Sequence, residues 1–187
     1  MISGGIRASR KAPAQDYRRK VEKMAEFNRE KLYEKTKRLV ATGVVSEGYS
    51  TQLMEVLKPE LLEVEERYGR VRYPVQDWQR NAWGGLQGGQ LASMLDNSIG
   101  ITLVPRFGGV VSINMEISFL LPIGKNVDYV EIKTNLVKVG NVIVYVNLEA
   151  FLPDGSKAID AVSNMMRVHD TAADQKNPKP VEVKMEE

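Results

Sequence analysis

The 187-residue sequence predicts an α+β domain in which a curved antiparallel sheet wraps one central helix, with an extra helical segment ahead of it. Three observations predict it. A glycine-led helix over roughly 88–103 carries Leu91, Met94, Leu95, Ser98, Ile99 and Thr102, a mostly apolar surface too broad to lie on the outside of a sheet. Long strand-like segments follow at 110–121, 127–139, 142–152 and 157–168, with no further good helix signal among them. Between the last two, Pro153-Asp154-Gly155 is a hairpin turn, since proline presets φ and glycine accepts a positive φ.

In chain order, residues 1–13 show no apolar periodicity and read as a loose leader. Over 15–41 the pattern turns helical, with Tyr17, Val21, Met24, Phe27, Leu32 and Leu39 recurring near three- or four-residue steps and Gly43 as its stop. Ser50 is placed to cap a short helix through about residue 57, which Pro59 ends. Two strands are expected at 61–67 and 71–75 about a turn at Tyr68-Gly69. The glycine-rich stretch QDWQRNAWGGLQGGQ then opens the central helix. In the strand at 142–152, Val142, Val144, Val146 and Leu148 alternate with Ile143, Tyr145 and Asn147, so parts of both faces are apolar. Residues 171–187 are polar and proline-punctuated, a frayed tail. The expected division is a leader with basic helical appendage at 1–59, one domain at 60–170 and the tail.

Several function classes are excluded or disfavoured. Without cysteine there is no disulfide framework, zinc knuckle or thiol nucleophile. The single histidine, His169, precedes the polar tail and reads as a surface residue, which disfavours a Ser-His-Asp triad and a metal site. No apolar run approaches a membrane span, and no apolar core follows the basic N-terminal residues, so a cytoplasmic location is the default expectation. Residues 1–41 hold twelve basic and five acidic residues, a net +7 against −5 for the remainder. Such asymmetry can mark an anionic partner. The acidic residues are interleaved, however, and the helix at 50–57 is short for groove reading. A helix packed on its own sheet or on a partner subunit is the better account, and no nucleic acid is expected.

Gly88-Gly89 stands at a helix start, where the first amides lack partners and lie at the positive end of the helix dipole. Such a junction can hold an oxyanion. On this feature alone, glycines that merely permit a tight turn are the better account. The loop matches neither the phosphate-loop nor the dinucleotide fingerprint. Asp96 adds weight, because a carboxylate in the apolar run SMLDNSIG is either solvated, satisfied in place or functional. Eight residues separate it from Gly88, roughly 12 Å of helix rise. The two cannot grip one reacting atom within a single chain, so a shared site requires a symmetry-related helix and predicts an active site across a subunit interface.

The stretch N-A-W-G-G-L-Q-G-G-Q-L-A-S-M-L-D-N-S resembles the PaaI-type hotdog thioesterases, whose signature is N-x-x-G-x-x-H-G-G followed by a helical Asp or Glu. Asn81, Gly84, Gly88, Gly89 and Asp96 fall on that pattern without a gap. Downstream, Phe119 and Pro122 match the family's aromatic-x-x-Pro element, and Val139-Gly140 followed by strand, turn and final strand also matches. The resemblance covers about residues 61–168. It implies a hotdog fold, a homodimer or dimer of dimers, an acyl-CoA substrate and no cofactor. For the phosphates of that CoA, Arg106, Lys125 and Lys138, near loop or strand ends, are the candidate cations. It further implies that the Gly88 amide stabilises the oxyanion, with Gly89 beside it on the substrate. Asp96 of the neighbouring subunit acts as base or nucleophile, Asn81 positions water, and Ser112 is an additional polar residue near the carboxylate. Gln87 stands where the signature has His, and it cannot carry a proton to the leaving thiolate. A non-catalytic acyl-CoA-binding protein is therefore the alternative, with a ligand-responsive nucleic-acid binder behind it.

Overall fold

A computed structural model describes residues 27–46 and 49–168. The leader, the first half of the expected basic helix, His169 and the tail lie outside the described residues.

Helix α1 (Arg29–Thr42) is capped by Asn28, whose Oδ1 accepts the Lys31 amide at 2.8 Å. Gly43 ends it in the left-handed region at φ 65°, donating its amide to the Leu39 carbonyl. A two-stranded turn, β1 (Val44–Ser46) and β2 (Tyr49–Ser50), leads to the short helix α2 (Leu53–Leu57). Ser50 belongs to β2, Gln52 holds the N-cap position of α2, and the Thr51 hydroxyl accepts the Leu53 amide at 3.1 Å.

The main sheet has six antiparallel strands in the order β3-β4-β6-β7-β8-β5. They are β3 (Glu60–Val64), β4 (Tyr68–Pro74), β5 (Gly109–Phe119), β6 (Tyr129–Val139), β7 (Ile143–Phe151) and β8 (Lys157–Val168). The central helix α3 (Gly88–Phe107) follows a 3₁₀ turn at Asp77–Gln79. The sheet's inner residues, among them Tyr73, Ile132, Leu148 and Ile159, are fully buried with Leu95, Ile99 and Leu103 of the helix. Each such side chain contributes roughly 1.5–3 kcal/mol by leaving water. α3 is enclosed on nearly every side. Between Gln90 and Phe107 its only exposed residue is Asp96.

Two expectations change here. The turn between the first strands lies at 65–67, and Gly69 sits inside β4. A Cβ on Gly69 would stand 2.5 Å from Thr102 Oγ1, so this glycine lets α3 approach the sheet closely. The central helix also runs past its expected end, carrying Pro105 in its last turn. Lys35 of α1 donates to the Pro105 carbonyl at 3.0 Å. With Arg29 paired to Glu65 at 2.8 Å and Leu39 buried in the main core, α1 packs on the domain rather than projecting from it.

β5 lies at one edge of the sheet, paired only to β8, and carries a bulge between Ser112 and Asn114. Ser112 is set opposite Met165 and Met115 opposite Ser163, leaving Ile113 as the extra residue. Met165 and Ser163 are buried inner residues, so Ser112 and Met115 share their side of the sheet.

Candidate active site

The loop ahead of α3 is built around Asn81. Its Oδ1 accepts the amides of Trp83 at 3.0 Å and Gly85 at 3.2 Å, while its backbone N–H donates to the Gly85 carbonyl at 2.8 Å. Asn81 is thus a loop organiser in this chain. Arg80 clasps the same loop, donating from Nη1 to the Gly84 carbonyl at 3.0 Å and from Nη2 to the Val127 carbonyl at 3.2 Å. Buried Gln79 accepts the Gln87 amide on its carbonyl at 2.9 Å. Neither Gln79 nor Arg80 stands out in the sequence, because both act through backbone groups that no side-chain motif reports.

Gln87 is the N-cap of α3. Its Oε1 accepts the Gln90 amide at 2.9 Å. A Cβ on Gly89 would lie 3.0 Å from that Oε1, so glycine there makes room for the folded-back side chain. Among the described residues the amides of Gly88 and Gly89 donate to nothing. They are the unpartnered donors of a helix N-terminus, where negative charge is favoured. Phe119, more than half exposed, lies over this point: a Cβ on Gly88 would be 3.3 Å from its Cε1.

Farther along the helix, Ser112 Oγ donates to Asp96 Oδ1 at 2.5 Å. The carboxylate is exposed, so its second oxygen remains open to solvent. Next to it, buried Tyr73 donates its hydroxyl to Asn97 Oδ1 at 2.9 Å. Burial pushes the Tyr73 hydroxyl well above its ordinary pKa, keeping it protonated as a donor. That bond ties α3 to β4 beside Asp96.

The candidate cations separate. Lys125 is exposed beside the loop, its Cβ 3.4 Å from where a Cβ on Gly84 would be. Arg106 corrects the expectation made for it. It sits roughly 27 Å of helix rise from Gly88 and roughly 15 Å from Asp96 of its own chain. Its guanidinium is committed to the carbonyls of Thr102, Glu65 and Tyr68, tying the end of α3 to the β3–β4 turn. Partial burial lowers its pKa to about 10 by desolvation. Lys138 is on the outer face of the sheet, its Nζ 5.9 Å from the Tyr145 ring centre, away from the loop and Asp96 of its own chain.

The PaaI protein of E. coli, from the phenylacetic acid degradation operon, superposes with a TM-score of 0.65 over 75% of this chain and 96% of its own, at 16% identity. The chain has the PaaI-type hotdog fold. A hypothetical thioesterase from Streptococcus pneumoniae, solved with coenzyme A, shares this hotdog at TM-score 0.55, 21% identity and coverage of 59% and 85%. The TT0310 protein of Thermus thermophilus does so at 0.58, 19% identity and coverage of 64% and 100%. No protein-family model and no curated protein sequence matches this hotdog chain. Among its described residues no helix is long and apolar enough to cross a membrane.

Proposed function

We propose that the protein is an acyl-CoA thioesterase that acts on a small or medium acyl-CoA as a homodimer or a dimer of dimers. The observation that carries this reading is the pairing of two half-sites on one helix. One is the free Gly88 and Gly89 amides, and the other is the exposed Asp96 carboxylate held by Ser112. Roughly 12 Å of rise separates them, so twofold pairing brings the Gly88 of one subunit toward the Asp96 of the other. Edge strand β5 supports the pairing. Its outer side has no partner strand among the described residues, and Val111, Ile113 and Phe119 along it are exposed.

In this scheme the thioester carbonyl oxygen sits on the Gly88 amide. Asp96 takes a proton from water as the water oxygen bonds to the carbonyl carbon. Collapse breaks the C–S bond, and the CoA thiolate recovers the proton from Asp96. Ser112 occupies one carboxylate oxygen and leaves the other to face the water. Asn81 holds the loop that presents the amides. The structurally similar S. pneumoniae protein, named a hypothetical thioesterase and solved with coenzyme A, supports the substrate class.

A second reading has its own observation. Gln87 spends its carboxamide oxygen on the helix cap, which fits a non-catalytic acyl-CoA-binding protein. Free-thiol release from an acyl-CoA panel separates the two. Hydrolysis abolished by Asp96→Asn supports the enzyme. Binding of CoA esters with equally negligible release by wild type and Asp96→Asn sinks it. Sedimentation as a monomer contradicts the shared site.

A further inference from the structure

Both tryptophans of this chain are exposed, Trp78 at 52% and Trp83 at 90%. A tryptophan so fully in water is unusual, since the indole carries a large apolar area. The backbone of the loop bearing Trp83 is tied down on both sides. Asn81 Oδ1 holds the Trp83 amide, the Gly84 amide donates to the Asn81 carbonyl at 2.9 Å, and Arg80 grips the Gly84 carbonyl. Gly84 completes the turn at φ 82°. The segment after β5 runs alongside, its Ile123 carbonyl accepting the Leu86 amide at 2.8 Å. That places exposed Lys125 against Gly84, next in sequence to the indole. Lys125 forms no ion pair among the described residues, whereas Asp77 at the start of the same loop faces Arg80 at 3.6 Å.

An aromatic plane and a free ammonium thus share one rigid rim. Five residues separate Trp83 from Gly88, a span of at most about 18 Å. An aromatic plane stacks any base, and an ammonium suits a phosphate. We propose that Trp83 and Lys125 form a lip that binds the nucleotide end of coenzyme A, the adenine stacking on Trp83 and the 3′-phosphate meeting Lys125. The proposal rests on the acyl-CoA reading above and names where the far end of that substrate is held.

The test uses Trp78→Phe, which leaves Trp83 as the single fluorophore. Coenzyme A and adenosine 3′,5′-bisphosphate are expected to quench its emission saturably, and pantetheine is not. Lys125→Ala should weaken the bisphosphate more than adenosine itself. In kinetics, Trp83→Leu should raise KM for acyl-CoA on the order of tenfold, with acyl-pantetheine as the comparison substrate that does not follow. If Trp83→Leu slows both substrates equally, or Trp83 emission is unmoved when calorimetry shows coenzyme A saturating the protein, the lip is overturned and hydrolysis stands. Blue-shifted emission in the ligand-free protein, insensitive to coenzyme A, would assign the indole to a second copy and also overturn it. Bisphosphate quenching without any thiol release would uphold the lip while refuting the thioesterase.

Discussion

The Ser112 hydroxyl donates to Asp96 Oδ1 at 2.5 Å, joining the edge strand of the sheet to the one exposed position along the body of the central helix. The contact spans 16 residues and two elements. It fixes the rotamer of a carboxylate that would otherwise sweep freely in water. A positioned base reacts faster than a mobile one because the approach geometry is set beforehand.

In the thioesterase proposed above, removing the base Asp96 and removing its holder Ser112 should therefore differ in size. Asp96→Asn keeps the shape and the Ser112 contact but loses proton acceptance, and a fall in kcat of roughly 10²–10⁴ is expected. Ser112→Ala should cost about tenfold, with KM little changed. Thiol-release kinetics on both variants check this, and an equal loss would mean that Ser112 does more than orient.

Gln87 should matter to stability before it matters to rate. Its side chain caps α3, so Gln87→Ala is expected to destabilise the fold by about 0.5–2 kcal/mol, and Gln87→Ser by less. Chemical denaturation gives the comparison. Equal stability of wild type and Gln87→Ala would remove the capping role.

A third expectation concerns helix-to-sheet spacing. Gly69→Ala drives a methyl to 2.5 Å from Thr102 Oγ1 and should cost roughly 1–3 kcal/mol. Adding Thr102→Ala removes the obstructing hydroxyl and should recover much of that loss. Independent, additive effects in a double-mutant cycle would contradict the contact.

Acid stability should depend in part on Glu149. Lys157 Nζ, 2.5 Å from its carboxylate, is the main cause that holds the Glu149 pKa below its ordinary 4.5. The unfolded chain binds that proton more readily, so the pair's contribution is present above about pH 4.5 and is lost as pH falls through the lower folded value. Glu149→Gln should flatten the Tm-versus-pH curve at and below that point, and parallel curves for the two proteins would refute it.

Much of this fold could be read in the sequence because its signals are local. Apolar breadth in 88–103, strand alternation and the Pro153-Asp154-Gly155 turn each report their own element. Gly69 misled because a glycine between two strand patterns reads as a turn, whereas its reason lies across the core at Thr102. Arg106 misled similarly, since only the folded chain brings three carbonyls around its head. Of the candidate site, Gly88 and Asp96 were visible as a helix start and a misplaced carboxylate. The braces Gln79, Arg80 and Tyr73 were not, because each works through a partner remote in sequence or through the backbone.

The bulge in β5 sets the parity of the strand. A strand sends odd and even residues to opposite faces, and Met115, Ile117 and Phe119 are the inward odd set on this one. Continued without interruption, that count would turn Ile113 toward the helix and Ser112 away. The single extra residue resets the count, so the inward position opposite Met165 goes to the hydroxyl. Were the strand ironed straight with its sequence unchanged, Asp96 would face a hydrocarbon, and no side chain would have been substituted.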